Sequence, residues 1–150
     1  MKWWVLLACA LSFSILHANR ALMHAVLPLV RTDFGLGYFS ASFLAASYDL
    51  GYLLTLIPVG YLSLGLAKRT PIYYGLAIIV VTSLTVAIYA PSYLLLVFYR
   101  VLAGVGFSFY FTAGSSLLSD HFPPAERGLA YGIHSIGASV GRVYGSAFFG

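Results

Sequence analysis

The stretch LHANRALMHAVLPLVRTDFGLG (Leu16–Gly37), continuing as YFSASFLAASYDLGYLLTLIPVGYLSLGLAKR (Tyr38–Arg69), decides how the rest of the chain is read. It holds two long apolar runs, joined at Arg31–Gly37 and closed by the basic pair Lys68-Arg69. Inside the first run stand His17, Arg20 and His24, and inside the second stands Asp49. A charged side chain at bilayer depth costs about 2.5–3.5 kcal/mol on insertion scales and ordinarily faces a partner or a water-filled cavity. Groups held against that cost mark a site.

Working outward, 61% of the residues are hydrophobic and only 8% are charged. Mean hydropathy is +0.91, and ordinary soluble chains are about 25% charged. An integral membrane protein is implied, with the lipid bilayer as its first partner. The net charge of +4 is dispersed along the chain, which excludes a nucleic-acid surface. Cys9, the single cysteine, can form no internal disulfide and reads as a small apolar filler. Lys2 opens the first run like a signal peptide, but the run outlasts an h-region of about 7–15 residues.

A span needs about 20 apolar residues to cross roughly 30 Å of hydrocarbon. Five runs qualify, at about 3–30, 38–66, 72–89, 93–118 and 129–150. Backbone in hydrocarbon must satisfy itself, so all five are expected to be helices. The fold class is therefore an all-α multi-pass membrane protein, with residues 1–150 forming one partial helical bundle. An N-terminus in the cytoplasm puts Lys2, Lys68, Arg69 and Arg127 inside against Arg31 outside, as the positive-inside rule favours. Trp3, Trp4, Tyr73, Tyr74, Tyr89 and Tyr93 then fall at helix ends, where aromatic belts sit. Pro28 and Pro58 stand near run ends and read as bends. The chain reaches Gly150 with its fifth run still apolar, so it is expected to be the front of a longer protein whose C-terminal helical bundle is missing.

Counting a rise of about 1.5 Å per residue from each span's middle puts Arg20, Asp49, Arg100 and Arg142 about 5–8 Å to the outer side of the midplane. The third span contributes no such group. Three arginines against one aspartate leave a net positive layer suited to a small anionic solute. A guanidinium offers a permanently charged donor fork that matches carboxylate or phosphate. Arg20 and Arg100 are expected to hold the anion, with Asp49 and Arg142 in the same substrate site. Asp49 reads equally as a proton-titrating carboxylate or a fixed counter-ion, and Arg142 as a third contact or an interhelical pair.

His17, Arg20 and His24 share one helix face by their three- and four-residue spacing. His17 and His24 join Asp49 as candidate proton relays, with interhelical hydrogen bonding as the alternative. His134 reads the same way, and His121 is expected in a loop facing solvent. No histidine, cysteine and carboxylate fall at metal-ligand spacing, and no nucleophile–base pair, P-loop or dinucleotide fingerprint occurs. Neither an enzyme nor a metal or cofactor site is expected. Tyr48, Tyr52, Phe107, Tyr110 and Phe111 read as cavity walls or as lipid-facing aromatics.

The spacings Asn19-Arg20-x7-Pro28-x4-Asp33-Phe-Gly35 and Gly51-Tyr-x5-Pro58-x-Gly60-x-Leu62 resemble the first two helices of the major facilitator superfamily. Arg100-x3-Gly104-x-Gly106, Phe122-Pro-Pro-Ala-Glu-Arg127-Gly and the ladder Gly137-x3-Gly141-x3-Gly145 are similar to its later motifs. The likeness is closest to its anion:cation symporters and organophosphate:phosphate antiporters, which carry an arginine eight residues before a proline in the first helix, as Arg20 and Pro28 do here. This resemblance implies an alternating-access transporter and makes Gly60, Lys68 and Arg69 a cytoplasmic gating loop. That loop departs from the family pattern: Leu64 stands for its aspartate, Gly65 for its arginine and Ala67 for its second glycine. In the symporter branch, carboxylates are expected where Asn19 and Phe107 stand. The ladder Gly137, Gly141 and Gly145 also reads directly as a close-packing surface, since small residues every four let helix backbones approach.

The expectation is a secondary active transporter of a small organic anion, by proton symport or anion exchange, in the inner or plasma membrane. Two rivals are a drug or hydrophobic-compound exporter of the same fold, and a non-transporting receptor on a transporter scaffold. Three arginines in one layer argue against the first. The altered loop between Gly60 and Arg69 favours the second.

Overall fold

The computed structural model describes residues 2–90 and 92–147. They form five helices: α1 (Lys2–Asp33), α2 (Tyr38–Ser63), α3 (Arg69–Ile88), α4 (Tyr93–His121) and α5 (Pro124–Ala147). No strand occurs among the described residues. Helices α1 to α4 are each long and apolar enough to cross a membrane. With 24 residues α5 has the length, but Glu126, Arg127, Arg142, three serines and five glycines make it less apolar.

The helix ends depart from expectation for local reasons. α1 runs three residues past Val30, with Pro28 inside it. It stops at Gly35, whose φ of 59° is the left-handed cap that glycine adopts without a Cβ penalty. There Leu36 N donates to Arg31 O at 2.9 Å and Gly35 N to Thr32 O at 3.2 Å, the paired bonds of a Schellman end. Arg31, read only as a topology signal, also donates its Nε to Leu36 O at 3.2 Å and lies 3.7 Å from the Tyr38 ring centre. α2 ends at Ser63 rather than Leu66, also with its proline, Pro58, inside. α3 starts earlier than expected because Pro71 fits in a first turn, where a missing N–H costs nothing.

Ser119, Asp120 and His121, expected in a loop, complete α4 instead. His121 is half-buried and donates from Nδ1 to Leu117 O at 2.9 Å, which corrects its solvent-facing assignment. The stop comes from Pro123-Pro124, since a residue before proline is pushed out of helical geometry. Arg127 then caps the α4 end, donating from Nε to Phe122 O (3.1 Å) and from Nη2 to Ser119 O (3.0 Å).

The chain divides into two compact units, one from residues 1–25 and 113–150 and one from residues 26–112. In the first, α5 lies against α1 in parallel register. A Cβ at Gly137, Gly141 or Gly145 would come within 2.4, 2.0 or 2.6 Å of the carbonyl oxygen of Ala10, Ser14 or Ala18. Nothing larger than glycine fits at that separation. Leu6, Cys9, Leu118, Phe122 and Ala130 are packed as its core. At one end Lys2 forms an ion pair with Glu126, and Trp3 meets Phe122 edge-on with ring centres 5.5 Å apart.

In the second unit α2 and α4 meet at Gly51 and Gly104, where a Cβ would come within 2.1 Å of Val101 O and 2.0 Å of Tyr48 O. Gly75 on α3 faces Gly106 in the same manner. Thr55 and Ser108 hydroxyls bond across at 3.0 Å, and Tyr93 donates its hydroxyl to Ser40 O at 3.0 Å. Tyr48, Phe107 and Tyr110 are buried here, which removes them from both readings given above: they wall no open cavity and face no lipid. The rings of Tyr52 and Phe107 meet edge-on at 5.1 Å, and those of Phe107 and Phe111 stack at 6.1 Å.

Candidate functional site

The polar groups of α1 and α5 converge on one open cavity of about 600 Å³, lined by His17, Arg20, Ala21, His24, Ala25, Arg142 and Ser146. The spacing within α1 explains the first five. Residues 17, 20, 21, 24 and 25 repeat at three and four, so a single face carries them. Alanines at two of those places leave room beside the long arginine. On α5, Ser146 follows Arg142 by one helical turn and occupies the same side. Because the glycine ladder brings the two backbones together, side chains on the flanking faces meet at the edge of the contact.

His17 is buried at the cavity floor, Arg20 is half-buried, and His24, Arg142 and Ser146 are exposed. Below the floor, Phe13 meets the His17 ring edge-on at 4.5 Å, and the buried His134 stacks on Phe13 at 4.1 Å. Arg142 donates from Nη2 to Ser139 Oγ at 3.2 Å. Ser14 and Tyr144 share a hydroxyl hydrogen bond at 3.1 Å between the same two helices. The lining holds two guanidiniums and two imidazoles and no carboxylate. Such a cavity attracts negative charge, and its donor forks suit planar or tetrahedral oxyanions.

Of the expected substrate residues, the structure brings Arg20 and Arg142 together with His17 and His24. Arg100 and Asp49 belong to the other compact unit. There Arg100 is buried, with its guanidinium carbon 4.9 Å from the Tyr48 ring centre, and Asp49 is half-buried on α2. In the expected gating segment, no side chain or backbone outside its own helix lies within 4 Å of a Cβ built on Gly60. Lys68 occupies the position just before α3, with no side-chain capping hydrogen bond, and Arg69 is the helix's first residue, exposed.

Sequence reasoning missed three features. Ser146 was legible as the next turn after Arg142, and Ala21 and Ala25 as gaps on the Arg20 face. The Lys2–Glu126 pair spans 124 residues, and no local pattern announces it.

Helices that pass each other on glycines, most of them long and apolar enough to span a bilayer, with charged groups facing a cavity, define a polytopic membrane protein. The Major Facilitator Superfamily profile matches residues 9–150. The chain belongs to that superfamily.

It is also 28% identical, over 98% of its length, to a rice (Oryza sativa subsp. japonica) protein described as probable anion transporter 4, chloroplastic. Among solved structures it matches a bacterial homolog of the human lysosomal transporter Spinster, in an inward-facing and unoccupied conformation. That match has a TM-score of 0.85 and 24% identity over 96% of this chain, and it bears on the fold alone. The chain spans 25% of the rice protein and 30% of the bacterial one.

Proposed function

We propose that this chain supplies one wall of a secondary active transporter for a small organic anion, with Arg20 and Arg142 holding the anion's charged group. The observation that carries the reading is the cavity lining itself: two arginines and two histidines converge with no acidic residue among them. Its volume of about 600 Å³ falls within the roughly 300–1,000 Å³ usual for small-molecule sites. The name of the rice relative, an anion transporter, points the same way. A cationic solute would be repelled by the two guanidiniums that line the cavity, which disfavours the exporter rival.

Transporter folds place their sites where two helical bundles face each other, so the opposing wall is assigned to a second bundle. The N-terminus is assigned to the cytoplasmic side, and α5 to a fifth span, on the Lys/Arg asymmetry of the connections. Arg100 is assigned a structural part through Tyr48, on the strength of their 4.9 Å approach. Proton coupling rests with Asp49 and the two cavity histidines, His17 and His24, and exchange of one anion for another is the alternative. Gly60, Lys68 and Arg69 are assigned to the gate between α2 and α3.

The test is flux. Protein reconstituted in liposomes is offered radiolabelled phosphate, a four-carbon dicarboxylate and a monocarboxylate, each with the same anion unlabelled inside. Saturable counterflow of one of them, lost in Arg20→Gln and Arg142→Gln, supports the proposal. Anion binding without flux would make the protein a receptor. Uptake of organic cations with anions ignored would overturn the site. Retention of pH-driven uptake in Asp49→Asn would leave coupling to the histidines or to exchange.

A further inference from the structure

Helix α3 packs with one face and leaves the opposite one uncovered. Pro71, Gly75, Ile79 and Thr82 are its buried residues. Gly75 passes α4 so closely that a Cβ there would come within 2.5 Å of Gly106 O. On the other side Arg69, Tyr73, Ala77, Val80, Leu84 and Ile88 are all exposed. At 3.6 residues per turn these six point within an arc of about 100° and extend about 29 Å along the axis. The row is graded: a cation, then a tyrosine, then four apolar side chains.

The chemistry of the face selects what covers it. α3 carries no charged residue after Arg69. Its hydroxyls are turned back on the helix, as helical serines and threonines allow. Thr82 Oγ1 donates to Ile78 O at 2.8 Å, Ser83 Oγ to Ile79 O at 2.7 Å and Thr85 Oγ1 to Val81 O at 2.7 Å. The length of the row matches the roughly 30 Å of a bilayer's hydrocarbon. Tyr73, one turn after Arg69, stands where amphipathic rings meet headgroups. Hydrocarbon therefore fits this surface better than water does.

The charged end is of one sign. Lys68 and Arg69 are adjacent, and the sequence holds no acidic residue between Asp49 and Asp120. Arg69 is exposed, and a guanidinium fork matches the oxygens of a phosphate. The turn that leads to the pair is itself apolar, with Leu64 and Leu66 exposed. Ala77 has the smallest side chain of the row and leaves a notch about 12 Å along the axis from Arg69.

We infer that the outer face of α3 is a binding site for an anionic phospholipid. Arg69, with Lys68 beside it, holds the headgroup phosphate; Tyr73 borders the glycerol, and an acyl chain lies over Ala77 and Val80. A zwitterionic lipid carries its own cation beside the phosphate, so the basic pair discriminates against it. None of these residues lines the Arg20–Arg142 cavity, so the inference stands whatever solute the cavity takes.

A photoreactive benzophenone amino acid, placed at position 77 or at position 88, reads it out. The full-length protein is irradiated in vesicles of phosphatidylcholine with a minority of phosphatidylglycerol, and mass spectrometry of the α3 peptide identifies the attached lipid. At position 77, phosphatidylglycerol is expected to exceed its share of the bilayer about fivefold or more. One basic side chain near an anionic surface supplies that factor. At position 88, about 16 Å further along the helix, adducts should follow the bulk ratio. The enrichment should vanish in the Lys68→Gln/Arg69→Gln protein and persist in Lys68→Arg/Arg69→Lys. It should also fall in 1 M salt, where the Debye length is about 3 Å, a test that needs no change to the basic pair. A bulk ratio at position 77, equal enrichment at both positions, or enrichment that survives loss of the charges would overturn the site. Adducts to protein in place of lipid, whether to this chain or to a second copy, would overturn it too, by showing the face covered.

Discussion

The two compact units use one packing device and fill the space around it differently. In each, helices pass so closely that a glycine Cβ would come within 2.0 Å of a neighbouring carbonyl oxygen, at Gly141 against Ser14 and at Gly104 against Tyr48. Around Gly104 the space is taken by rings: Tyr48 and Phe107 are buried, and Arg100 is buried beneath Tyr48. Beside Gly141 it is left open, and Arg20 and Arg142 face a cavity. Backbone contact therefore sets the frame, and side-chain volume beside the contact decides whether an arginine is packed away or left facing an open cavity.

The comparison breaks most readily at the glycines. Gly141→Val and Gly104→Val each force side-chain carbon into backbone that cannot yield, and over-packing of this kind costs about 1–3 kcal/mol or more. Both variants are expected to lose most folded protein in detergent, seen as lowered Tm and poor recovery on size-exclusion chromatography. Gly132→Ala, with nothing within 4 Å of its new methyl, is expected to gain about 0.5–1 kcal/mol from helix propensity. A stable Gly141→Val beside an unfolded Gly104→Val would mean that the α1–α5 contact is looser than its geometry.

Charge separates the units next. Arg20→Gln and Arg142→Gln are expected to weaken anion binding about 10- to 100-fold, taking about 1.5–3 kcal/mol for a hydrogen bond to a charged group and 1.4 kcal/mol per tenfold. Their Tm should hardly move, because both side chains stand at an open cavity. Arg100→Gln should do the reverse. It removes a desolvated cation–π contact worth up to about 2 kcal/mol, so Tm falls and anion affinity in the surviving protein is kept. Isothermal titration with whichever of phosphate, dicarboxylate or monocarboxylate the counterflow assay selects, paired with thermal melts, reads both. An Arg100→Gln protein with intact Tm and lost binding would return Arg100 to the solute site.

How much of this was legible follows from the range of each interaction. The apolar runs, the Arg20 face with His17 and His24, and the glycine ladder depend on spacing within one helix, which sequence displays directly. Depth counting put Arg20 and Arg142 at one level, and the cavity holds both. The same counting says nothing of azimuth, so it could not distinguish Arg142 at a cavity from Arg100 under Tyr48. Rotation about a helix axis is set by packing, here by which glycines meet which carbonyls. Helix ends were misjudged where capping decided them: the Gly35 turn lengthens α1, and Arg127 lets α4 continue to His121 before Pro123.

The smallest expected effect concerns the Lys2–Glu126 pair, which fastens the first residues of α1 to the start of α5. Both side chains remain about two-fifths exposed, at 36% and 40%, and exposed pairs are worth about 0.2–1 kcal/mol. The aromatic surroundings argue for the upper part of that range: the Lys2 ammonium lies 5.6 Å from the Trp3 ring centre and 5.5 Å from that of Phe122. A double-mutant cycle of Lys2→Met and Glu126→Gln, read as Tm at low and high salt, separates the two contributions. Coulombic coupling should shrink as the Debye length falls from about 10 Å at 0.1 M to about 3 Å at 1 M. A loss seen in Lys2→Met but absent from Glu126→Gln at every salt concentration would assign this end of the unit to ring contacts, with the ion pair contributing nothing measurable. It would also make aromatic contacts, rather than charge, the common filler of both units away from the cavity.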